Sequence, residues 1–133
     1  MRLLVCGSRS FGLTKKQYRF VCAEIEKAIE WTATREDLDP WLPPKNTVII
    51  AGGAPGVDTA AIDWAVVNWT QFEEYKAEWD KYNKAAGPIR NQRMLDEGKP
   101  DKVLAINGGR GTADMVRRAK NAGIPVVEVR YDK

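Results

Sequence analysis

The chain has 133 residues, a formal charge of +3, two cysteines and no histidine, with a sequence pI near 8.9. That length suits one domain over 1–133 that buries somewhat under ~70% of its extended-chain surface and needs no disulfide framework or metal staple. Lack of histidine removes the commonest general base and metal ligand, so any catalysis rests on carboxylates, arginines, a thiol or the ligand itself; no metal site and no cofactor are expected.

Taken in chain order, residues 2–6 read as a first strand, with Leu3-Leu4-Val5 running into Cys6-Gly7-Ser8-Arg9. The apolar run after Arg2 is too short for a signal-peptide core, and nothing approaches the ~18 apolar residues of a membrane span, which predicts a cytoplasmic protein without membrane contact. Cys6 in that run and Cys22 on an apolar helical face read as buried thiols of a reducing compartment. Thr14-x-x-Gln17 offers a capping box, and Tyr18, Val21, Cys22, Ile25 and Ile29 recur at helical spacing, so a helix is predicted over 15–32. A polar connection with Pro40, Pro43 and Pro44 spans 32–46. The second strand, 47–51, meets Gly52-Gly53-Ala54-Pro55-Gly56-Val57-Asp58, where Asp58 is expected to cap a helix reaching Trp69. Small residues Ala60, Ala61 and Ala65 let that helix lie close to a sheet. Residues 72–76 read as a third strand. Gly87-Pro88 opens a helix ending at Gly98, Pro88 suiting a first turn. A strand at 103–106, a helix over 112–122 closed by Gly123, and a strand at 126–129 complete the pattern.

Strands alternating with helices imply an α/β fold: a Rossmann-like, mostly parallel five-stranded sheet of order 3-2-1-4-5 with helices on both faces. Ligands on such sheets bind beyond the carboxyl ends of the strands, where the strand order reverses. Three glycine-bearing turns fall at that end: Gly7-Ser8-Arg9, Gly52-Gly53-Ala54 with Gly56, and Gly108-Gly109-Arg110-Gly111-Thr112. The last follows Asn107 and leads straight into a helix, whose first amides lack intrahelical acceptors and favour phosphate.

Each of these residues has a plainer reading beside the functional one. Glycine pairs at strand ends are often only tight turns. Arg9 and Arg110 are more pointed, because a turn has no structural need of a guanidinium that can clamp phosphate. Asp58 and Asp114 suit helix first turns, and Asp58 is also placed to meet a ribose hydroxyl or a metal-bound water. Cys6 resembles a phosphatase nucleophile only superficially, since Gly12 stands where the required arginine would be. Trp79 and Tyr82 read either as cover for the core or as a base-stacking pair. Arg90 and Asn91 fall in the first turn of a helix, Arg90 suited to hold phosphate or ribose and Asn91 to orient a polar group. Trp79 then covers a base; alternatively it packs the helix and Arg90 pairs with an acid.

Taken together, Cys6-Gly7-Ser8-Arg9, Gly52-Gly53-Ala54-x-Gly56-x-Asp58, Trp79-x-x-Tyr82, Ala86-Gly87-Pro88-Ile89-Arg90-Asn91-x-x-Met94 and Gly108 to Met115 resemble the YspA/YpsA-related branch of the SLOG superfamily. That superfamily unites the DprA-like DNA-processing proteins with the LOG nucleotide phosphoribohydrolases, and the branch is frequent in bacteria and their phages. The resemblance spans nearly the whole chain except 32–46. It implies a nucleotide or nucleotide-derived ligand such as an ADP-ribose or cyclic-nucleotide signal, sensed or sequestered, and a homo-oligomer, a dimer by the family pattern. A LOG-like phosphoribohydrolase is the alternative, with Arg90 and Asp114 as catalytic candidates, Arg90 holding the phosphate and Asp114 or Asp58 stabilising oxocarbenium charge. When the LOG motif Pro-Gly-Gly-x-Gly-Thr-x-x-Glu is laid on Asn107 to Met115, Met115 replaces the glutamate, and Asp114 projects about 100° away around the helix. The LOG motif Arg-Lys-x-x-Met falls on Arg90 to Met94, with Asn91 in place of lysine. Single-stranded DNA binding of the DprA kind is disfavoured, since the basic residues are interleaved with Asp and Glu and few aromatics stand near them.

Overall fold

Alternation within the apolar runs divides the core between two faces of one sheet. In the computed structural model, which describes residues 1–31 and 42–131, Leu3 and Val5 of β1 (Arg2–Gly7) point to one face and Leu4 and Cys6 to the other. Strand β2 (Val48–Gly52) divides the same way, Ile49 from Ile50, and β4 (Lys102–Ile106) sends Leu104 and Ile106 one way and Val103 and Ala105 the other. Both faces are buried, which is why these strands read as unbroken apolar runs.

With β3 (Gln71–Tyr75) and β5 (Val126–Val129) at the edges, all five strands are parallel in the order β3-β2-β1-β4-β5. This is the expected Rossmann-like arrangement. Helices α1 (Lys15–Ala28) and α2 (Val57–Val67) cover one face; α4 (Ala86–Asp96) and α5 (Arg110–Asn121) cover the other. Between β3 and α4 lie a short helix, α3 (Trp79–Tyr82), and a 3₁₀ turn, Asn83–Ala85, which no apolar periodicity announces. No helix among the described residues is long and apolar enough to cross a membrane.

The helix boundaries depart from expectation in instructive ways. α1 opens with the predicted capping box at Thr14 and Gln17 but ends at Ala28, short of residue 32. There the chain turns through Glu30 at φ 59°, with Glu30 N–H donating to Lys27 C=O at 3.1 Å and Trp31 N–H to Glu26 C=O at 2.9 Å. This is a Schellman closure without its usual glycine. The predicted connection at 32–46 falls outside the described residues over 32–41. Asp58 is not the cap of α2: that place belongs to Gly56, at φ 82°, and Asp58 is the second helical residue. A side chain on Gly56 would collide with the Ser8 carbonyl oxygen, and Val57 N–H donates to that same oxygen at 3.1 Å. Docking of the β2–α2 turn on the β1–α1 turn therefore sets the start of α2. α4 opens one residue ahead of Gly87. α5 opens at Arg110, two residues before the expected Thr112, so Arg110, Gly111 and Thr112 are its first turn.

Candidate functional site

Parallel strands deliver their carboxyl ends to one edge, and there the turns after β1, β2 and β4 meet α3 and α4 around a cleft of about 580 Å³. Gly7, Ser8 and Arg9 enter it from the end of β1, Ala54 from the β2–α2 turn and Asp58 from the first turn of α2. Trp79 forms a wall from α3, Arg90 and Asn91 rise from α4, and Gly109, Arg110, Gly111, Thr112 and Asp114 close it from α5. Gly52, Gly53, Gly56 and Gly108, also expected at the ligand, do not line it. Cys6, Ser10, Gly87, Pro88 and Met94 do. Of these Ser10 had a legible signal, being a hydroxyl two residues beyond Ser8 in the same turn; the two hydroxyls lie 3.1 Å apart.

Space sorts the glycines into two groups. A Cβ on Gly7 would collide with Ile106 C=O, one on Gly52 with the Arg90 guanidinium, and one on Gly108 with the Thr112 side chain. The fold's packing demands Gly7 and Gly108, and the Arg90 and Asp58 side chains lying against Gly52 demand the third. Gly109 and Gly111 are different, because a Cβ at either meets nothing within 4 Å and both face the cleft. Their lack of a side chain serves the opening rather than the packing.

Charge divides the cleft into two ends. At α5 the cap residue Gly109 offers no side-chain hydrogen bond and the first turn carries no acid, so the amides of Arg110, Gly111 and Thr112 present the positive end of the helix to the opening. Arg110 lines the same end. Arg9 reaches across, its guanidinium 5.6 Å from the Trp79 ring centroid, while that indole remains 47% exposed. At the other end α2 carries Asp58 in its first turn, buried at 7% exposure, with Oδ2 accepting from Ala54 N–H at 3.3 Å. Burial drives the Asp58 carboxyl up to about 7, against the opposing pull of Arg90, the Ala54 amide and Arg9 and with a further push from Glu74.

The middle of the cleft is held by a polar network. Arg90 Nε donates to Asn91 Oδ1 at 3.1 Å and Nη1 to Tyr75 C=O at 3.4 Å. Burial lowers the Arg90 pKa, and Arg9 adds to that while Asp58 resists it. Asn91, 4% exposed, donates from Nδ2 to Gly111 C=O at 3.1 Å and to Asp114 Oδ2 at 3.0 Å. Its amide thus couples Arg90 to α5 and is engaged by the protein itself rather than open to a ligand. Asp114 accepts from Arg118 Nε at 2.8 Å and also pairs with Arg117. Partial burial opposes its ionisation, yet the hydrogen bonds from Arg118 and Asn91 and the charges of Arg118 and Arg117 outweigh this and hold the carboxyl below its ordinary range. Met115 is fully buried among Cys6, Met94 and other core side chains. The Cys6 thiol is raised above its ordinary range, chiefly by burial and then by Asp58, and is no nucleophile at neutral pH. Tyr82 does not line the cleft; the Lys81 ammonium lies 5.0 Å from its ring centroid.

No family model matches the chain. The sequence is 34% identical over 136 residues to the "Gene 61 protein" of Mycobacterium phage D29, across 95% of this chain and 94% of the phage protein. Among solved structures it is similar to the X-ray structure of TM1055, a Northeast Structural Genomics Consortium target, with a TM-score of 0.66 at 17% identity over 94% of this chain and 71% of that one. The second likeness is one of fold.

Proposed function

The chain belongs to the family of the Gene 61 protein of Mycobacterium phage D29, and we propose that its cleft binds a nucleotide or nucleotide-derived ligand, with phosphate at the start of α5. The observation that carries this reading is the pair Gly109 and Gly111. Packing does not require them, they leave the first-turn amides of α5 uncovered, and Arg110 and Arg9 stand beside that end of the opening. Backbone amides, a helix dipole and guanidinium forks are the combination that recognises phosphate. Trp79 offers a half-exposed indole to a base, with the Arg9 guanidinium near the same ring. Resemblance to the YspA/YpsA-related branch of the SLOG superfamily supports the same reading and points to an ADP-ribose-like or cyclic-nucleotide signal, bound by a sensor or a sequestering protein.

The phosphoribohydrolase alternative has less support. A carboxylate both unpaired and ionised is wanted near the sugar to stabilise oxocarbenium charge, but Asp114 is tied to Asn91, Arg117 and Arg118, Asp58 is buried with its carboxyl pushed up to about 7, and Met115 is buried. Binding without turnover is the better fit.

The test is titration calorimetry of AMP, ADP-ribose and a cyclic dinucleotide against the natural chain and Gly109→Asp. The variant brings a carboxylate to the proposed phosphate position, and nothing lies within 4 Å of the added Cβ. At least one nucleotide should bind the natural chain and lose about 100-fold or more in the variant, the scale of an unfavourable charge pair in a partly shielded site. Absence of binding by the natural chain at millimolar concentration would sink the proposal.

A further inference from the structure

Resting on the nucleotide reading above, we infer that Asp58 and Arg90 form a sugar-hydroxyl subsite that makes the cleft prefer ribonucleotides to nucleotides lacking the 2′ and 3′ hydroxyls. A carboxyl that the fold buries but leaves underused is the starting observation. Asp58 is 7% exposed and lines the cleft, yet its hydrogen bonding among the described residues amounts to one long contact, Ala54 N–H to Oδ2 at 3.3 Å. Nothing among the described residues donates to Oδ1. Buried polar groups in native proteins are otherwise almost always satisfied, and each exception calls for an explanation.

Arg90 stands next to it without answering it. Both side chains press on Gly52, whose Cβ, if it had one, would lie 2.9 Å from Asp58 Oδ2 and 2.9 Å from Arg90 Cζ. Even so, the two do not close into an ion pair. Arg90 is held back by its own bonds, Nε to Asn91 and Nη1 to Tyr75, and Nη2 makes none among the described residues. An acceptor and a donor therefore face the cleft side by side and unjoined.

The group that satisfies both is a hydroxyl, which donates to a carboxylate and accepts from a guanidinium at once; a vicinal diol supplies two. A base edge with an amino group beside a ring nitrogen could answer both as well, but on the nucleotide reading the base lies on Trp79. Phosphate is repelled by the carboxylate and has the α5 end available to it instead. With phosphate at α5, a nucleotide lying along the cleft brings its sugar to Arg90 in the middle and to Asp58 beside it.

Protonation supplies a second readout. The titratable and charged groups facing Asp58 are Cys6 on β1, Arg9 in the β1–α1 turn, Glu74 on β3 and Arg90 on α4. A hydroxyl donating to Asp58 favours its ionised form, so binding competes with a proton and the sugar preference grows as pH rises through about 7. Taking the ratio of two nucleotides with the same phosphate cancels the titration of the phosphate.

The experiment is calorimetry of AMP and 2′,3′-dideoxy-AMP at pH 6 and pH 8 with the natural chain, Asp58→Ala and the isosteric Asp58→Asn. At pH 8 the natural chain should bind AMP roughly 10-fold or more tightly than the dideoxy analogue, the scale of a hydrogen bond to a charged group, and the ratio should shrink at pH 6. Asp58→Ala should lower it severalfold, to what Arg90 alone sustains, and remove its pH dependence. Should that variant not fold, Asp58→Asn should lower the ratio and remove its pH dependence. Equal binding of both nucleotides by the natural chain, or an undiminished ratio in the variants, overturns the sugar subsite and leaves nucleotide binding standing. Failure of the natural chain to bind either nucleotide overturns both.

Discussion

On the proposed nucleotide reading, Gly111 serves a ligand at the expense of the fold. A glycine lowers helix stability by up to about 1 kcal/mol relative to alanine in the interior and by less in a first turn such as that of Gly111, and nothing within 4 Å of its absent Cβ explains why it is there. Gly111→Ala should therefore raise the melting temperature while weakening nucleotide affinity, as thermal melts and calorimetry on one preparation would show; improved stability with unchanged affinity would remove Gly111 from the site. Asp58 makes a related point in charge. Its carboxyl moves from 3.8 to about 7 on folding, so between those values the folded state holds a proton that the unfolded state has released, and stability falls as pH rises from about 4 to about 7. Asp58→Asn should flatten that part of the profile and be the more stable protein at pH 8, by up to a few kcal/mol in denaturant titrations. A profile identical to that of the natural chain would contradict the burial argument. Asn91 marks the limit of sequence reading at this scale. Its type and place beside Arg90 suggested a ligand contact, but its partners Gly111 and Asp114 lie twenty and more residues on, and no local pattern reveals that its amide is engaged by them.

At the scale of elements, the starts and stops that rest on local chemistry were legible and those that rest on tertiary contact were not. Thr14 with Gln17 opens α1 and Gly123, at φ 78°, closes α5, both as read from the sequence. The other two Schellman closures use ordinary residues. After α2 the chain turns through Trp69 at φ 55°, Thr70 N–H donating to Ala65 C=O at 2.8 Å, just as Glu30 ends α1. A side chain in that left-handed conformation is strained, and at 95% exposure Trp69 recovers little by burial. Trp69→Gly should stabilise the protein by about 0.5–1 kcal/mol, a rise of a few degrees in a thermal melt. A fall would mean that the indole makes a contact worth more than the strain. The start of α2 was misplaced for the same class of reason, because Gly56 is fixed by the Ser8 carbonyl of another turn rather than by Asp58. α3 carries Trp79 to the cleft on four residues, too few for a periodic signal.

At the scale of the whole molecule, topology did most of the work of bringing the site together. Alternation of apolar runs with helical periods implies parallel strands, and parallel strands place every strand-to-helix turn at one edge. That is why the gathering of Arg9, Asp58 and Gly109 to Thr112 could be expected from residues a hundred positions apart. What the alternation could not reveal is the polarity of the cleft, amides and arginines at α5 and a buried acid at α2, since it depends on where α2 begins and on which glycines packing requires. The central claim is that phosphate sits on the first turn of α5. Amide-resolved NMR of the ¹⁵N-labelled chain titrated with AMP tests it most directly. The amides of Arg110, Gly111 and Thr112 should shift together and saturate with a single dissociation constant, the pattern of hydrogen bonds forming to an anion. If saturation is reached with those three amides unmoved, or if no amide in the protein responds at millimolar nucleotide, phosphate does not bind there and the account is wrong.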